Sequence, residues 1–247
     1  MKSFTRLGVR LTDLFFPPQC VGCSKAGLVF CHQCAQSVDP VVEPICAHCG
    51  RPHALSAHLC HRCQAGERDA LSLVRIATLY RAPLRPAIHA LKYGGQPELA
   101  VPLARYLVAV AQQPPWPALL ADIHGVVPVP LHAQRMAQRG YNQSALLAGE
   151  LAAQMGLRLA ESWLSRARQT QSQVGLSAAE RQQNVADAFL ADTNLAGKRL
   201  LLIDDLFTTG ATLSACAQAL QQAGAAAVYG LVLSTPAPAT GVSLGDE

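Results

Sequence analysis

The stretch that most constrains the fold runs from Leu200 to Thr212. Aliphatic residues lead into two adjacent carboxylates, Asp204 and Asp205, and a turn rich in hydroxyl groups follows before an alanine-rich helical pattern begins. The aliphatic run predicts a buried strand, and a strand that turns straight into a helix presents backbone N–H groups that suit a phosphate. Ionised carboxylates only accept hydrogen bonds, so the acid pair requires hydroxyls or a cation. Together these features predict a site for a sugar phosphate.

Strand and helix patterns alternate from residue 71 onward. This order predicts an α/β fold, a mainly parallel sheet with flanking helices. Ligands of such sheets bind at the carboxyl ends of the strands, where Asp204 and Asp205 lie. The predicted strands are residues 73–80, 125–131, 157–164, 200–205 and 226–233, and the predicted helices are residues 85–91, 100–111, 144–155, 177–184 and 212–223.

Three kinds of site place acids at the end of a buried strand. A Walker B strand requires a Gly-x-x-x-x-Gly-Lys-Ser/Thr loop, which the sequence lacks. Receiver-type pockets normally take their acids from the start of their domain. The third kind fits throughout: residues 200–212 resemble the phosphoribosyl pyrophosphate (PRPP) motif of type I phosphoribosyltransferases, a hydrophobic strand, two acids and, after a short turn, Thr-Gly-x-Thr.

That resemblance implies roles for these residues. Asp204 and Asp205 would accept hydrogen bonds from the ribose 2′ and 3′ hydroxyls, and residues 127–131 would form the pyrophosphate loop. Mg²⁺ would arrive with the pyrophosphate, because it binds largely through substrate phosphates. Some purine-salvage members carry an aspartate where this chain has Thr208, which argues against that subclass. The 5′-phosphate would be bound by Thr208, Thr209, Gly210, Ala211 and Thr212. No catalytic residue is identified.

Cysteine use divides the chain sharply. Eight of the nine cysteines lie between positions 20 and 63, in four Cys-x-x-Cys pairs. Two such pairs provide the four thiolates of a structural zinc site, so four pairs predict two Zn²⁺ ions. Few hydrophobic residues lie between positions 17 and 66, so zinc would supply most of the folding free energy, on the order of 10 kcal/mol per site. The predicted ligands are Cys20, Cys23, Cys31, Cys34, Cys46, Cys49, Cys60 and Cys63.

Other uses of these cysteines fit less well. Disulfides require an oxidising compartment, and the sequence shows no export signal. One Cys-x-x-Cys pair is typical of a redox site, but four in succession are not. Sequential pairing, in which the first two pairs bind one ion and the last two bind the other, is the simplest arrangement, and interleaved pairing stays open. The remaining cysteine, Cys216, is expected to be a buried core thiol.

A second polar cluster follows the predicted strand at residues 125–131. Arg139-Gly-Tyr-Asn-Gln143 lies where a rim over the site is expected, although a plain loop with a capping asparagine would have the same composition. The candidates for the pyrophosphate loop and its rim are Val129, Pro130, Arg139 and Asn142.

Residues 71–106 carry five basic side chains against the single acid Glu98, with three tyrosines between them. Such a mixture holds single-stranded nucleic acid by backbone attraction and base stacking. The alternative is a solvated helix face with tyrosines packed on the core. The candidate contacts for DNA, or for the acceptor substrate to which a phosphoribosyltransferase would transfer the ribose phosphate, are Arg81, Arg85, Lys92 and Tyr93. An acceptor pocket would come from residues 80–100 and 166–173.

The chain divides into four predicted parts. Residues 1–16 predict an amphipathic helix, with a membrane-surface helix as the alternative; residues 17–66 form the zinc module, residues 70–235 the phosphoribosyltransferase-like domain and residues 236–247 a disordered tail. The sequence lacks the long apolar run of a membrane span and the continuous apolar segment of a signal peptide. We therefore expect a cytoplasmic protein.

The order of the motifs narrows the resemblance further. A cysteine-rich module, Leu91-Lys-Tyr-Gly, Pro128-Val-Pro-Leu, Arg139-Gly-Tyr-Asn-Gln, Gln169-Thr-Gln-Ser-Gln and the PRPP motif together resemble the ComF family of competence and DNA-utilisation proteins. The resemblance implies a role in natural transformation or in the use of imported DNA, with competence proteins as partners. It leaves three hypotheses: a phosphoribosyltransferase with an unknown acceptor, a binding protein that senses PRPP and holds single-stranded DNA, or a zinc scaffold with a remnant pocket.

Overall fold

The computed structural model describes residues 17–53, 58–65, 70–167, 188–191 and 194–237. Within these residues, four strands form a parallel sheet in the order β1-β6-β5-β2. The strands are β1 (Leu73–Leu79), β2 (Gly125–Pro128), β3 (Leu164–Arg166), β4 (Phe189–Ala191), β5 (Arg199–Leu206) and β6 (Ala227–Thr235). The helices are α1 (His32–Gln36), α2 (His61–Gln64), α3 (Leu84–Tyr93), α4 (Ala100–Ala111), α5 (Trp116–Leu120), α6 (Ala133–Arg139), α7 (Gln143–Met155) and α8 (Ala211–Gln222). The predicted α/β class and the four strands of the parallel sheet are confirmed.

Side chains that alternate along the central strand β5 build a core on each face of the sheet, since neighbouring residues of a strand point to opposite sides. Leu201 and Ile203 pack in the cluster that contains α4 and α7, whereas Leu200 and Leu202 pack in the cluster that contains α8. The acid pair at the end of β5 therefore lies between two helical layers.

The predicted strand at residues 157–164 is wrong in most of its length. Leu159 forms a single bridge to Val126 of β2, a short 3₁₀ turn follows at Glu161–Trp163, and β3 then pairs antiparallel with β4. Trp163 packs so closely on Gly125 that a Cβ there would lie 2.6 Å from the indole ring. The chain therefore packs against β2 here without continuing as a strand of the sheet. Four short helices, α1, α2, α5 and α6, were not predicted.

The zinc module divides between the two faces of the sheet. Cys20 and Cys34 belong to the core cluster beside α4, and the hydroxyl of Tyr106 on α4 donates to Ala35 O at 2.7 Å. The last four cysteines of the module belong to the cluster on the opposite face. Between them, residues 39–41 run alongside β1, where Val41 N donates to Ala77 O at 3.0 Å.

Several predicted segments fall outside the described residues. These are the helices at residues 1–16 and 177–184, positions 168–173 of the acceptor segment and positions 238–247 of the tail. Within the part of the chain that the structure describes, no helix has the length and apolar character needed to cross a membrane.

Candidate functional site

The carboxyl end of β5 holds the predicted acid pair in the interior. Asp204 is 8% exposed and Asp205 is 2% exposed. Ser144 Oγ donates to Asp204 Oδ1 at 2.9 Å, and the backbone N–H of Asp205 donates to the same oxygen at 2.9 Å. Gln143 Nε2 donates to Asp205 Oδ1 at 3.0 Å, and Lys92 Nζ forms an ion pair with Asp205 Oδ2. The pair is thus held by donors from two helices.

Asn142 explains why Gln143 and Ser144 face the acids. Its side-chain oxygen accepts from Ser144 N at 3.0 Å and so caps the N-terminus of α7. Its side-chain amide donates to Val129 O at 3.0 Å, just after β2. One residue therefore joins the end of β2 to the start of α7, and the neighbouring strand β5 presents its acids to that helix.

Lys92 is oriented from the end of α3. The hydroxyl of Tyr141 donates to Leu91 O at 2.7 Å, which ties α3 to the rim that precedes α7. The Lys92 side chain is 17% exposed. Burial lowers the pKa of Lys92, but the Asp205 carboxylate more than offsets this effect, so the pKa lies above its ordinary value. The lysine stays charged beside the acids.

Asp204 and Asp205 differ in their surroundings. Burial and the adjacent charge of Asp205 raise the pKa of Asp204 to about 7, against the opposing effects of Lys92 and Ser144. Two like charges at adjacent positions cannot both be fully stabilised by one lysine. Asp204 consequently changes its charge near neutral pH, and a ligand hydroxyl that donates to it stabilises the ionised form.

The turn after β5 has the backbone expected of an anion-binding loop. Gly210 adopts φ +91° as the N-cap of α8, a conformation that residues with a Cβ rarely adopt. Thr209 Oγ1 accepts from Ala211 N at 3.3 Å, and Thr235 Oγ1 donates to Phe207 O at 2.9 Å. A cavity of about 20 Å³ lies against the turn. It is lined by Asp204, Leu206, Phe207, Thr208, Gly210, Ala211, Thr212 and Leu213.

A larger cleft of about 420 Å³ lies beside Lys92. Its lining residues come from the end of α3 and from α6: Lys92, Tyr93, Gly95, Arg135, Gln138 and Arg139. The guanidinium of Arg139 stacks 5.1 Å from the centroid of the Tyr93 ring, and it also donates to Gln143 Oε1. Because Gln143 bonds Asp205, the cleft and the acid pair share one chain of contacts.

The candidate DNA or acceptor contacts occupy different environments. Arg85 is exposed and Tyr93 is 67% exposed, whereas Arg81 forms an ion pair with Asp39. Lys92 faces the acid pair instead of the surface. The structure therefore brings Lys92 and Tyr93 to the cleft and leaves Arg81 engaged with the segment that follows the first four cysteines.

The eight module cysteines form two clusters of four. Cys20, Cys23, Cys31 and Cys34 make one cluster and Cys46, Cys49, Cys60 and Cys63 the other, with the sulfurs of each cluster within 4.8 Å of one another. The grouping is sequential, and this settles the pairing that the spacing left open. Tetrahedral zinc with Zn–S bonds of about 2.3 Å has S···S edges of about 3.8 Å. Sγ–Sγ distances of 3.6 Å for Cys23–Cys31 and 3.7 Å for Cys49–Cys60 fit that geometry.

Sequence reasoning missed several contacts at the site. Gln143 belongs to the predicted rim cluster, but its bond to Asp205 was not predicted. Ser144 directly follows that cluster, and its position next to the end of a neighbouring strand was the available signal. Arg51 and Arg62 of the second cysteine cluster donate to the carbonyls of Thr208 and Thr209. No spacing or motif pointed to that contact.

Comparisons with known proteins find two family domains in this chain. A double zinc ribbon domain matches residues 11–64, and a phosphoribosyl transferase domain matches residues 142–238. DNA utilization protein YhgH of Salmonella typhimurium is 34% identical over 80% of this chain and 86% of its own length. Competence protein F of Haemophilus influenzae is 31% identical over 85% of this chain and 93% of its own. Competence protein ComFC of Bacillus subtilis is 29% identical over 80% of each.

Proposed function

The chain belongs to the ComF family of competence and DNA utilization proteins, and from this premise we propose that its acid pair and glycine turn bind PRPP or a related ribose phosphate. The observation that carries the proposal is the position of Asp204, a buried carboxylate that also lines the cavity beside the phosphate-type turn. Carboxylates that can accept hydrogen bonds from ribose hydroxyls and N–H groups that can donate to a phosphate thus lie together at one strand end.

The bonds of the acid pair suggest how a ribose would bind. Ser144 and the backbone N–H of Asp205 both donate to Oδ1 of Asp204, and Asp204 also lines the cavity. Asp205 already accepts a hydrogen bond from Gln143 and forms an ion pair with Lys92. A ribose hydroxyl therefore reaches Asp204 first, and it engages Asp205 only as Lys92 shifts toward the cleft. The cavity holds about one water, so the turn must widen to admit a phosphate.

The cleft fits the pyrophosphate group better than it fits a bare metal ion. Arg135, Arg139 and Lys92 line it, and guanidinium groups match phosphate oxygens. Mg²⁺ would be carried by the pyrophosphate oxygens, where it neutralises charge. The protein would supply the cationic wall and the ribose contacts.

If the protein is a transferase, its own groups act by position and charge. The bond between C1 of the ribose and the pyrophosphate oxygen breaks while a nitrogen of the acceptor bonds to C1. Arg135 and Arg139 would stabilise the departing pyrophosphate, and the ribose contacts would hold C1 in line with the acceptor.

A second candidate function is a non-catalytic sensor of PRPP that holds single-stranded DNA. The exposed Tyr93 ring beside Arg139 favours it, because an aromatic face next to a cation suits a stacked base and its phosphate. Such a protein would act in the uptake or use of imported DNA, a role compatible with the words DNA utilization and competence in the names of its relatives.

Calorimetry with PRPP and Mg²⁺ tests the binding site. We expect the wild type to bind and Asp204→Asn to bind at least tenfold more weakly, on the scale of one hydrogen bond to a charged group. Asp122→Asn is the matched control, because Asp122 is an exposed acid just before β2, at the opposite end of the sheet. Absence of binding by the wild type contradicts the proposal. Release of pyrophosphate with a base, nucleoside or DNA would distinguish the transferase from the sensor.

A further inference from the structure

The second zinc ribbon, residues 46–63, contacts the phosphate-type turn directly. Arg51 Nη2 donates to Thr208 O at 2.8 Å, and its guanidinium lies 4.7 Å from the centroid of the Phe207 ring. Arg62 Nη1 donates to Thr209 O at 3.2 Å. Two arginines from one ribbon thus contact two consecutive carbonyls of the turn.

These bonds determine where the donors of the turn point. In a planar trans peptide, the C=O of one residue and the N–H of the next point in opposite directions. Holding Thr208 O toward Arg51 therefore directs the N–H of Thr209 to the other side of the turn. Holding Thr209 O toward Arg62 does the same for the N–H of Gly210. The guanidinium charges also make the turn more positive, which favours a bound anion.

The ribbon in turn fixes the arginines. Arg51 follows the Cys46–Cys49 pair, and its carbonyl accepts from Cys46 N at 2.8 Å, while Arg62 lies inside the Cys60–Cys63 pair. His48 O accepts from Val74 N of β1 at 2.9 Å. Gly50, at φ +67°, approaches the same strand so closely that a Cβ would lie 2.6 Å from Val74 O. The ribbon is therefore seated on the sheet in one position.

The first ribbon, residues 20–34, offers an internal comparison. Lys25 occupies the position of Arg51, two residues after the second cysteine, and its carbonyl accepts from Cys20 N at 2.8 Å. Gln33 occupies the position of Arg62. In this ribbon the two side chains bond each other, with Lys25 Nζ donating to Gln33 Oε1 at 2.8 Å. The same two positions thus serve the ribbon itself in one copy and the turn in the other.

We propose that Arg51 and Arg62 are positioning residues of the phosphate site, and that the second ribbon, unlike the first, is a structural part of that site. The inference rests on the proposed function, since it concerns how strongly the turn binds the 5′-phosphate. It assigns the second zinc cluster a role in ligand affinity in addition to folding.

The test measures binding of ribose 5-phosphate and of PRPP with Mg²⁺ to the full zinc-loaded chain by calorimetry. Arg51→Met and Arg62→Met keep much of the side-chain length and remove the donors. We expect each to weaken binding of both ligands about tenfold, since each removes one charge-assisted hydrogen bond. Lys25→Met and Gln33→Met are the matched controls and should bind as the wild type does. Metal analysis should find unchanged zinc in all four variants.

The outcomes separate the two proposals. If the wild type binds neither ligand, the proposed function fails. If the wild type binds and the Arg51→Met/Arg62→Met double variant, with full zinc content, binds within twofold of it, the positioning role is wrong. If the double variant loses zinc, Arg51→Lys/Arg62→Lys replaces it. Lysine keeps the charge but lacks the fork that reaches the carbonyl, so intermediate affinity supports the role and wild-type affinity contradicts it.

Discussion

Lys92 and Asp205 form an ion pair in the interior, with 17% of the lysine side chain and 3% of the aspartate side chain exposed. The pair joins α3 to the end of β5, so it links the wall of the cleft to the acids. Removing one partner leaves the other buried and uncompensated. The pair therefore matters for stability as well as for binding.

Lys92→Met should lower the free energy of unfolding by about 3–5 kcal/mol, because it leaves a buried carboxylate beside Asp204 without its cation. The Lys92→Met/Asp205→Asn double variant should recover part of that loss. Urea denaturation measures both effects. Lys25→Met, which removes an exposed lysine, is the control and should change stability little. Equal stability of Lys92→Met and the wild type would show that the pair contributes nothing to the fold.

Affinity for PRPP should rise with pH through neutrality. The folded-state pKa of Asp204 is raised to about 7, so the carboxylate that accepts a hydroxyl forms only as pH rises through that value. The same shift means that Asp204 destabilises the fold progressively between about pH 4 and pH 7, since its unfolded form ionises first. Calorimetry from pH 5.5 to 8.5 checks the binding.

Asp204→Asn is the control for that pH series. Phosphate groups of the ligand titrate near pH 6, and the asparagine variant retains their contribution. The part of the pH dependence that disappears in the variant belongs to Asp204. If wild type and variant show the same profile, the carboxylate does not take part in binding.

Gly210→Ala should cost about 1–2 kcal/mol of stability, because alanine is strained at φ +91°. It should also weaken PRPP binding at least tenfold, since the turn presents its N–H groups only in that conformation. Gly197→Ala is matched to it, because Gly197 also has positive φ, at +71°, in the turn before β5 at the other end of the strand. We expect both variants to lose similar amounts of stability. Only Gly210→Ala should also lose affinity for PRPP. Equal effects on binding would contradict a specific role for the turn.

The sequential cysteine clusters predict two zinc ions per chain. Cys23→Ser/Cys31→Ser changes two ligands of the first cluster only, so the variant should retain one zinc. Under interleaved pairing the same change would damage both sites, and both ions would be lost. Inductively coupled plasma mass spectrometry of the purified chain distinguishes one zinc from none.

Binding of single-stranded DNA at the cleft predicts that Tyr93→Ala weakens it by about 1–3 kcal/mol, the usual contribution of one stacked base. Arg135→Gln should also reduce the salt dependence of binding: the slope of log K against the logarithm of the salt concentration should become shallower by about one. A gel shift at several salt concentrations measures both effects. Tyr80→Ala is the control, because this partly buried tyrosine packs against the core beside α3. DNA binding that survives both cleft changes would place the DNA elsewhere.

Local patterns predicted the central strand and its turn well. The apolar run before Asp204 and the glycine at position 210 act over a few residues, and β5 and α8 begin and end close to the predicted bounds. The cysteine spacing likewise predicted two four-thiolate clusters. In each case the signal and the structure it determines lie within the same short segment.

Contacts between distant segments could not be predicted in the same way. Ser144 meets Asp204 because β2 and β5 pair in one register, which the sequence pattern does not specify. Lys92 was a candidate contact for DNA or an acceptor, and its ion pair with Asp205 was not predicted. The position of the second ribbon on the sheet depends on the close approach of Gly50 to Val74. Cysteine spacing says nothing about which face of a ribbon docks.

The flanking segments of the sheet have a consequence for association. Residues 39–41 and His48 pair with the outer side of β1, and Arg158 and Ala160 pair with Val126 on the outer side of β2. Open sheet edges invite strand addition and aggregation, and covered edges resist both. Within the described residues, these contacts protect both edges of the parallel sheet against extension by a partner protein or a second copy of the chain. Among the described residues, the cleft beside the acid pair instead offers a surface of side chains through which another molecule can bind.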